Sequence, residues 1–131
     1  MKHEKGWAWP DADEFMVSQL ATDGSYQRSH LDDALTHITD WSIAVDAGAH
    51  AGTWSRLLSP RFARVLAFEP SPDTFEALEA NMAAFGCANV EAQNVALGAA
   101  ACYVSMTIDE TNAARKNTAI PAMRTRAPTI R

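Results

Sequence analysis

Residues 44–52, with the sequence AVDAGAHAG, constrain this chain more than any other stretch. A short apolar run ends at a carboxylate, Asp46, and two glycines, Gly48 and Gly52, precede a segment with helical periodicity. Glycine lets the backbone adopt positive φ and approach a ligand closely, and the start of a helix offers unpaired N–H groups. The stretch therefore predicts a strand, a tight loop and a helix N-terminus that together bind a small ligand.

The chain on both sides of this loop alternates between strand-like and helix-like patterns. Strands are predicted over residues 41–45, 64–68, 89–95 and 102–108, and helices over 52–59 and 73–85, with Trp54, Phe75 and Phe85 in the core. Strands that alternate with helices form parallel sheets through right-handed crossovers. We therefore predict an α/β fold, a Rossmann-like domain of three layers with a mostly parallel sheet.

The first 40 residues have a different pattern. Residues 1–10 are expected to form an irregular arm, with Trp7 and Trp9 packed back onto the domain. Two helices follow. The predicted features are Asp11 as the first N-cap, Phe15, Met16 and Leu20 on the first helix, a turn at Asp23-Gly24, and a second helix from Ser29 with Leu31, Leu35 and Ile38 on its buried face.

Composition excludes several classes of protein. The net charge of −5 argues against a nucleic-acid groove, which needs clustered basic residues. No apolar run approaches the ~20 residues of a membrane span, and the N-terminus has no pattern of an export signal, so we expect a cytoplasmic protein. Two cysteines, Cys87 and Cys102, are too few for a metal site, and a disulfide between them is not expected.

The charges are unevenly distributed along the chain. All sixteen acidic residues lie at or before Glu110, whereas residues 111–131 contain five of the eleven basic residues. The sequence thus divides into an arm with two helices (1–40), a ligand-binding core (41–110) and a basic, irregular tail (111–131).

The ends of the predicted strands carry the candidate binding groups. Glu69 follows Asp46 by 23 positions, where an acidic residue binds a ribose in nucleotide-binding βαβ units. The turn Asn94-Val95-Ala96 is placed to contact an adenine edge. The loop spacing is G-x-x-x-G and not the G-x-G-x-x-G of dinucleotide sites. A carboxylate at Asp46 suits the ammonium group of a methionine moiety better than a pyrophosphate, so we predict S-adenosylmethionine (SAM) and not NAD.

Three segments, VDAGAHAG, AFEPSPDTFEALEANM and NVEAQNVALG, resemble the class I SAM-dependent methyltransferases and, within them, the FkbM family. That family has a V-D-x-G-A-N-x-G loop, an A-F-E-P strand end and an A-L-G turn, and the match spans residues 43–98. The resemblance implies the Rossmann-like methyltransferase fold and SAM as cofactor. The implied contacts are Asp46, Gly48, Ala49 and Gly52 for the methionine moiety, Glu69 for the ribose, Pro70 and Ser71 for the adenosine, and Asn94, Val95 and Ala96 near the adenine.

His50 departs from that pattern, because the family usually has Asn there. Two interpretations stay open. Histidine is among the non-glycine residues enriched at positive φ, so one interpretation is that His50 serves the conformation of the loop. Alternatively, His50 is the general base that deprotonates an acceptor hydroxyl. Tyr26, Gln27 and His30 are likewise either residues that fold over the cofactor or ordinary surface residues.

The resemblance implies O-methylation of a hydroxyl on a sugar or another small molecule. The family's chain continues into a further strand beside the Asp46 strand and an L-K-I-D-x-E-G motif, which residues 111–131 do not contain. We therefore expect a sheet truncated after the third or fourth strand, with an apolar face uncovered at Ile43 and Val45. An active methyltransferase and a truncated, non-catalytic SAM-binding fragment both stay open, as does an adaptor that acts through its basic tail.

Overall fold

The computed structural model describes residues 1–106 and 119–121. In chain order, the elements are β1 (Lys2–Glu4), β2 (Trp7–Trp9), α1 (Glu14–Gln19), α2 (Arg28–Leu35), β3 (Ile43–Ala47), α3 (Thr53–Leu58), β4 (Arg64–Phe68), α4 (Pro72–Ala84), β5 (Val90–Gln93), β6 (Val104–Met106) and β7 (Ala119–Pro121). Among these described residues, none of the helices has the length and apolar character that a bilayer crossing demands.

The centre of the fold is a three-stranded parallel sheet in the order β3-β4-β5, with α3 and α4 as the connections. The α/β prediction is therefore confirmed, and β4 has the predicted bounds. The strand β3 begins two residues later than predicted. The reason is a local turn in which the carboxylate of Asp40 accepts hydrogen bonds from the backbone N–H and the hydroxyl of Ser42.

The helices α2, α3 and α4 pack on one face of this sheet. Ala44, Val65 and Ala67 point to that face and are buried against residues of α2, α3 and α4. On the opposite face, Ile43 and Val45 are 48% and 57% exposed, as the sequence led us to expect. Within residues 1–106 and 119–121, the structure thus has two of the three predicted layers, namely the sheet and the helices on one of its faces.

The N-terminal arm is not irregular, and this prediction was wrong. β1 and β2 form an antiparallel hairpin around Lys5 and Gly6, which have φ of 52° and 78°. Two consecutive residues with positive φ are typical of a tight hairpin turn, usually written Asn-Gly or Asp-Gly, so Lys-Gly gave a weak signal. The packing of Trp7 and Trp9 is confirmed, because they are 1% and 0% exposed.

Asn81, buried in α4, holds the hairpin in place. Its Oδ1 accepts a hydrogen bond from the backbone N–H of Ala8 at 2.7 Å. Its Nδ2 donates to the carbonyl oxygens of Ala8 and Ala51, both at 2.9 Å. Ala51 belongs to the loop after β3. One side chain therefore fastens both the N-terminal hairpin and that loop to α4.

The two N-terminal helices exist, but several details differ from the prediction. Asp13 caps α1 through a hydrogen bond from the N–H of Met16, whereas Asp11 pairs with the N-terminal ammonium group. Phe15 is exposed on α1. Ile38 is also exposed, because α2 ends at Leu35 before the predicted face is complete.

The predicted fourth strand does not join the main sheet. β6 pairs antiparallel with β7 in a separate two-stranded sheet. β7 falls within residues 111–131, which the sequence predicted to be irregular. The other parts of that predicted tail lie outside the described residues. Cys87 and Cys102 are free thiols.

Replacing Asn81 by Leu tests whether this amide holds the layers together. The variant leaves three buried backbone groups unpaired, and each such group costs about 1–3 kcal/mol. We expect Asn81→Leu to lower the free energy of unfolding by about 3 kcal/mol or more, measured by urea denaturation. The control, Glu76→Gln on the exposed side of α4, should stay within about 0.5 kcal/mol of the parent. Equal stability of the two variants would contradict the assignment.

Candidate functional site

Residues 46–52, which we call the glycine loop, connect β3 to α3 and are fastened to the end of β4. The backbone N–H groups of Gly48 and Ala49 both donate to the carbonyl oxygen of Phe68, at 2.8 and 3.0 Å. Gly48, His50 and Gly52 have positive φ, which produces the tight turn that the sequence predicted.

Glycine is required at positions 48 and 52 for two different physical reasons. A Cβ on Gly52 would lie 2.6 Å from Met82 Cε and 2.7 Å from Leu78 Cδ1. Gly52 therefore permits the close packing of α3 on α4. A Cβ on Gly48 would meet no atom within 4 Å. Gly48 thus borders open space, where a ligand can approach the backbone.

Glu69, at the end of β4, joins the parts of the candidate site. It is buried, and its two carboxylate oxygens accept hydrogen bonds from the backbone N–H groups of His50 and Ser71, each at 2.9 Å. The side-chain amide of Asn94 donates to the carbonyl oxygen of Glu69 at 2.8 Å. The glycine loop, the β4–α4 turn and the turn after β5 are therefore linked through one residue, as strand ends of a parallel sheet should be.

Asp46 is a half-buried carboxyl on the candidate site. Its Oδ2 accepts a hydrogen bond from the hydroxyl of Ser55 at 2.6 Å. Burial raises the pKa of Asp46 above its ordinary value, and the nearby Glu69 carboxylate raises this pKa further, against the opposing effect of Ser55. Within the described part of the chain, neither carboxylate has a Lys, Arg or His partner at ion-pairing distance. The site has the electrostatic character of a cation acceptor.

A cavity of about 390 Å³, the loop cavity, lies beside the glycine loop. The predicted residues that line it are Asp46, Gly48, Ala49 and His50, together with Tyr26 and Gln27. Gly52, predicted to contact the methionine moiety, does not line this cavity, and neither does His30. Glu69, Pro70, Ser71, Asn94, Val95 and Ala96 do not line it either. Their predicted contacts to the ribose and the adenine stay predictions.

Sequence reasoning missed other lining residues, namely Met16, Val45, Ala47, Thr53 and Trp54. Trp54 was assigned to the core from its helical periodicity, and it is partly buried against the hydrophobic cluster that includes Leu58 and Phe62. Its indole Nε1 is buried with no hydrogen-bond partner among the described residues. The position of this tryptophan, two residues after the glycine loop, was the signal for a role in the cavity. Helical periodicity alone predicts only that the residue is buried.

His50 faces the N-terminal layer. Its Nε2 lies 3.1 Å from Oδ2 of Asp13, without the alignment of a hydrogen bond, and the side chains are 15% and 0% exposed. The ring of Trp9 lies 6.4 Å away, centroid to centroid. The φ of 53° at His50 agrees with the conformational interpretation. Both ring nitrogens are buried, so the role of His50 as a general base stays a prediction.

Neither a protein-family model nor a curated protein matches this chain. Solved structures do. A precorrin-6y C5,15-methyltransferase from Geobacter metallireducens is 20% identical over 66% of this chain and 42% of its own, with a TM-score of 0.47. A second structure is phosphoethanolamine N-methyltransferase 1 from Haemonchus contortus, in complex with phosphoethanolamine and S-adenosylhomocysteine. It is 22% identical over 64% of this chain and 18% of its own, with a TM-score of 0.48.

A third similar structure is a precorrin 8W decarboxylase from Methanobacterium thermoautotrophicum, 25% identical over 53% of this chain and 38% of its own, with a TM-score of 0.45. This chain spans less than half the length of each of these three proteins. TM-scores below 0.5 are too low to argue from. The α/β assignment therefore rests on the parallel order of β3, β4 and β5.

Alanine substitutions can distinguish the roles of Gly48 and Gly52. Positive φ costs an L-residue roughly 1–2 kcal/mol at either position, and overpacking adds about 1–3 kcal/mol at Gly52. We expect Gly52→Ala to lower the free energy of unfolding by more than Gly48→Ala does, by at least about 1 kcal/mol, in urea denaturation. A larger loss for Gly48→Ala would show that the packing argument for Gly52 is wrong.

Proposed function

We propose that this chain binds SAM at the glycine loop and supplies the cofactor-binding part of a SAM-dependent methyltransferase. The observation that carries the proposal is the pair of carboxylates formed by half-buried Asp46 and buried Glu69, which lacks a cationic partner among the described residues. SAM brings both an ammonium and a sulfonium group. A bound cation offsets the cost of keeping a buried carboxylate ionised, so the loop selects a positively charged ligand.

The loop geometry supports the methionine moiety as the part nearest Asp46. Gly48 borders the loop cavity with open space at its Cβ position, and Asp46 lines the same cavity. The resemblance to FkbM methyltransferases supports Glu69 as the ribose ligand. Each oxygen of Glu69 already accepts one backbone N–H and has a second lone pair for a ribose hydroxyl.

The proposed reaction is O-methylation of a hydroxyl on a sugar or another small molecule, and it rests on the FkbM resemblance. The cofactor supplies a methyl group on a sulfonium, which leaves by in-line displacement. The protein's own part is to orient the acceptor and to receive its proton. His50 is the candidate acceptor of that proton. Its Nδ1 is the nitrogen that would take the proton, because Nε2 faces Asp13.

The second candidate is a truncated, non-catalytic SAM-binding fragment. The exposure of Ile43 and Val45 along β3 favours it, because a complete sheet of this class covers both faces. In both cases the proposed partner is a small molecule, with no nucleic acid and no membrane, and the proposed location is the cytoplasm.

Isothermal titration calorimetry with SAM, followed by a radiolabelled methyl-transfer assay on sugar and small-molecule hydroxyls, tests the proposal. Binding with transfer supports the enzyme, and binding without transfer supports the fragment. Absence of binding by the folded chain would refute the cofactor assignment.

Glu69→Ala should weaken SAM binding by roughly 1.5–3 kcal/mol, because hydrogen bonds to a charged group are lost. Glu69 also holds the glycine loop, so circular dichroism must show that the variant is folded. The matched control is Glu91→Ala, which removes an exposed carboxylate that pairs with Arg64 on the sheet. Unchanged affinity in Glu69→Ala would remove this residue from the site.

The affinity for SAM should depend on pH through Asp46. Since burial raises the pKa of this carboxyl, the free protein takes up its proton at a pH where an exposed aspartate is still ionised. A cation bound beside it favours the ionised form, so the Kd for SAM should rise as the pH falls from about 7 towards 4.

Asp46→Asn should bind SAM more weakly at pH 7 and should lose this part of the pH dependence. Calorimetry of both proteins across the same pH range measures the difference. An equally steep dependence in Asp46→Asn would assign the titration to another group.

A further inference from the structure

A second cavity, of about 260 Å³, lies towards the C-terminal end of α3, whereas the loop cavity lies at the N-terminal end of that helix. Its walls come from residues 23–25, from the first residue of α2, and from α3 and the turn that follows. Three arginines line it, namely Arg28, Arg56 and Arg61, and the one acidic residue among its lining is Asp23. We call it the arginine cavity.

Arg56 is held in place by aromatic rings. Its Cζ lies 4.1 Å from the ring centroid of Phe85 and 5.3 Å from that of Trp7. Within residues 1–106 and 119–121, no carboxylate lies at ion-pairing distance from Arg56. Stacking on rings fixes the plane of a guanidinium and leaves the N–H groups at its edge for another acceptor.

Gly24 allows the neighbouring turn to lie against Arg56. It has φ of +77°, and a Cβ there would be 3.3 Å from Nη1 of Arg56. The turn also restrains the acidic residue of the cavity. One oxygen of Asp23 accepts hydrogen bonds from the backbone N–H and the hydroxyl of Ser25, at 2.9 and 2.6 Å. One oxygen of this carboxylate is therefore engaged within its own turn, and its charge also attracts Arg28.

The other two arginines share one carboxylate outside the cavity lining. Nε of Arg28 and Nη1 of Arg61 each lie 3.1 Å from an oxygen of Asp32. A guanidinium has five N–H donors, so this pairing leaves several donors on both side chains. Asp32 thus positions Arg28 and Arg61 without neutralising all three arginines.

We propose that the arginine cavity binds the phosphate group of a small phosphorylated molecule. Three guanidinium groups suit the several oxygens of a phosphate, whereas a carboxylate is matched by a single guanidinium fork. The volume leaves room for the group that carries the phosphate. The net charge of −5 on the whole chain disfavours a nucleic-acid backbone as the source. This site is separate from the loop cavity and does not depend on SAM binding.

Isothermal titration of the full chain with inorganic phosphate and with glycerol 3-phosphate tests the proposal, with acetate at matched ionic strength as the comparison anion. We expect saturable binding of both phosphates with a Kd of about 1 mM or lower. Arg61→Gln should weaken this binding by about tenfold or more. Arg64→Gln, which removes an exposed arginine paired with Glu91 outside the cavity, should leave it unchanged.

Arg28→Gln is the second variant, in case Arg61→Gln fails to fold, and thermal unfolding checks both. Binding that does not saturate, equal binding of acetate, or equal losses in Arg61→Gln and Arg64→Gln would overturn the proposal. Preferential binding of a single-stranded oligonucleotide over glycerol 3-phosphate would overturn it as well. Because SAM is absent from these titrations, the outcome is independent of the proposed methyltransferase function.

Discussion

The side-chain amide of Asn81 is the interaction on which the rest of this structure depends. It pairs with both backbone groups of Ala8 and with the carbonyl oxygen of Ala51, and it does so in a buried position, where a polar group must find partners. The hairpin, α4 and the glycine loop are joined there. Glu69 holds the same loop from the other side through the N–H of His50. The candidate site is therefore built on a loop that buried hydrogen bonds restrain at both flanks.

The charges around α3 are arranged in opposite ways at its two ends. At the N-terminal end lie two carboxyl groups, half-buried Asp46 and buried Glu69, without a cation among the described residues, which favours a ligand such as SAM. Towards the C-terminal end, three arginines line a cavity with one carboxylate. Charge of one sign that is partly removed from water is stabilised by a partner of the opposite sign, so the two ends favour ligands of opposite charge. This contrast underlies both proposals.

The sequence predicted best where local patterns and tertiary packing agree. β4 has the predicted bounds, and α4 differs by one residue at each end, because its apolar residues repeat at helical spacing and Gly86 ends it with positive φ. Predictions failed where packing overrode a weak local signal. Lys5-Gly6 forms a hairpin turn because Trp7 and Trp9 are buried against the domain, and β6 pairs with β7 instead of the main sheet.

The sequence by itself determined the parallel α/β core, the glycine loop and the carboxylates Asp46 and Glu69 at two strand ends, since these follow from periodicity and spacing along the chain. Only the tertiary structure decided what each residue contacts. It placed Asp13 against His50, brought Trp54 into the loop cavity, and assigned Gly52 to the packing of α3 on α4. It also gathered Arg28, Arg56 and Arg61 around one cavity. Most of these contacts join residues far apart in the chain, and no local pattern encodes them.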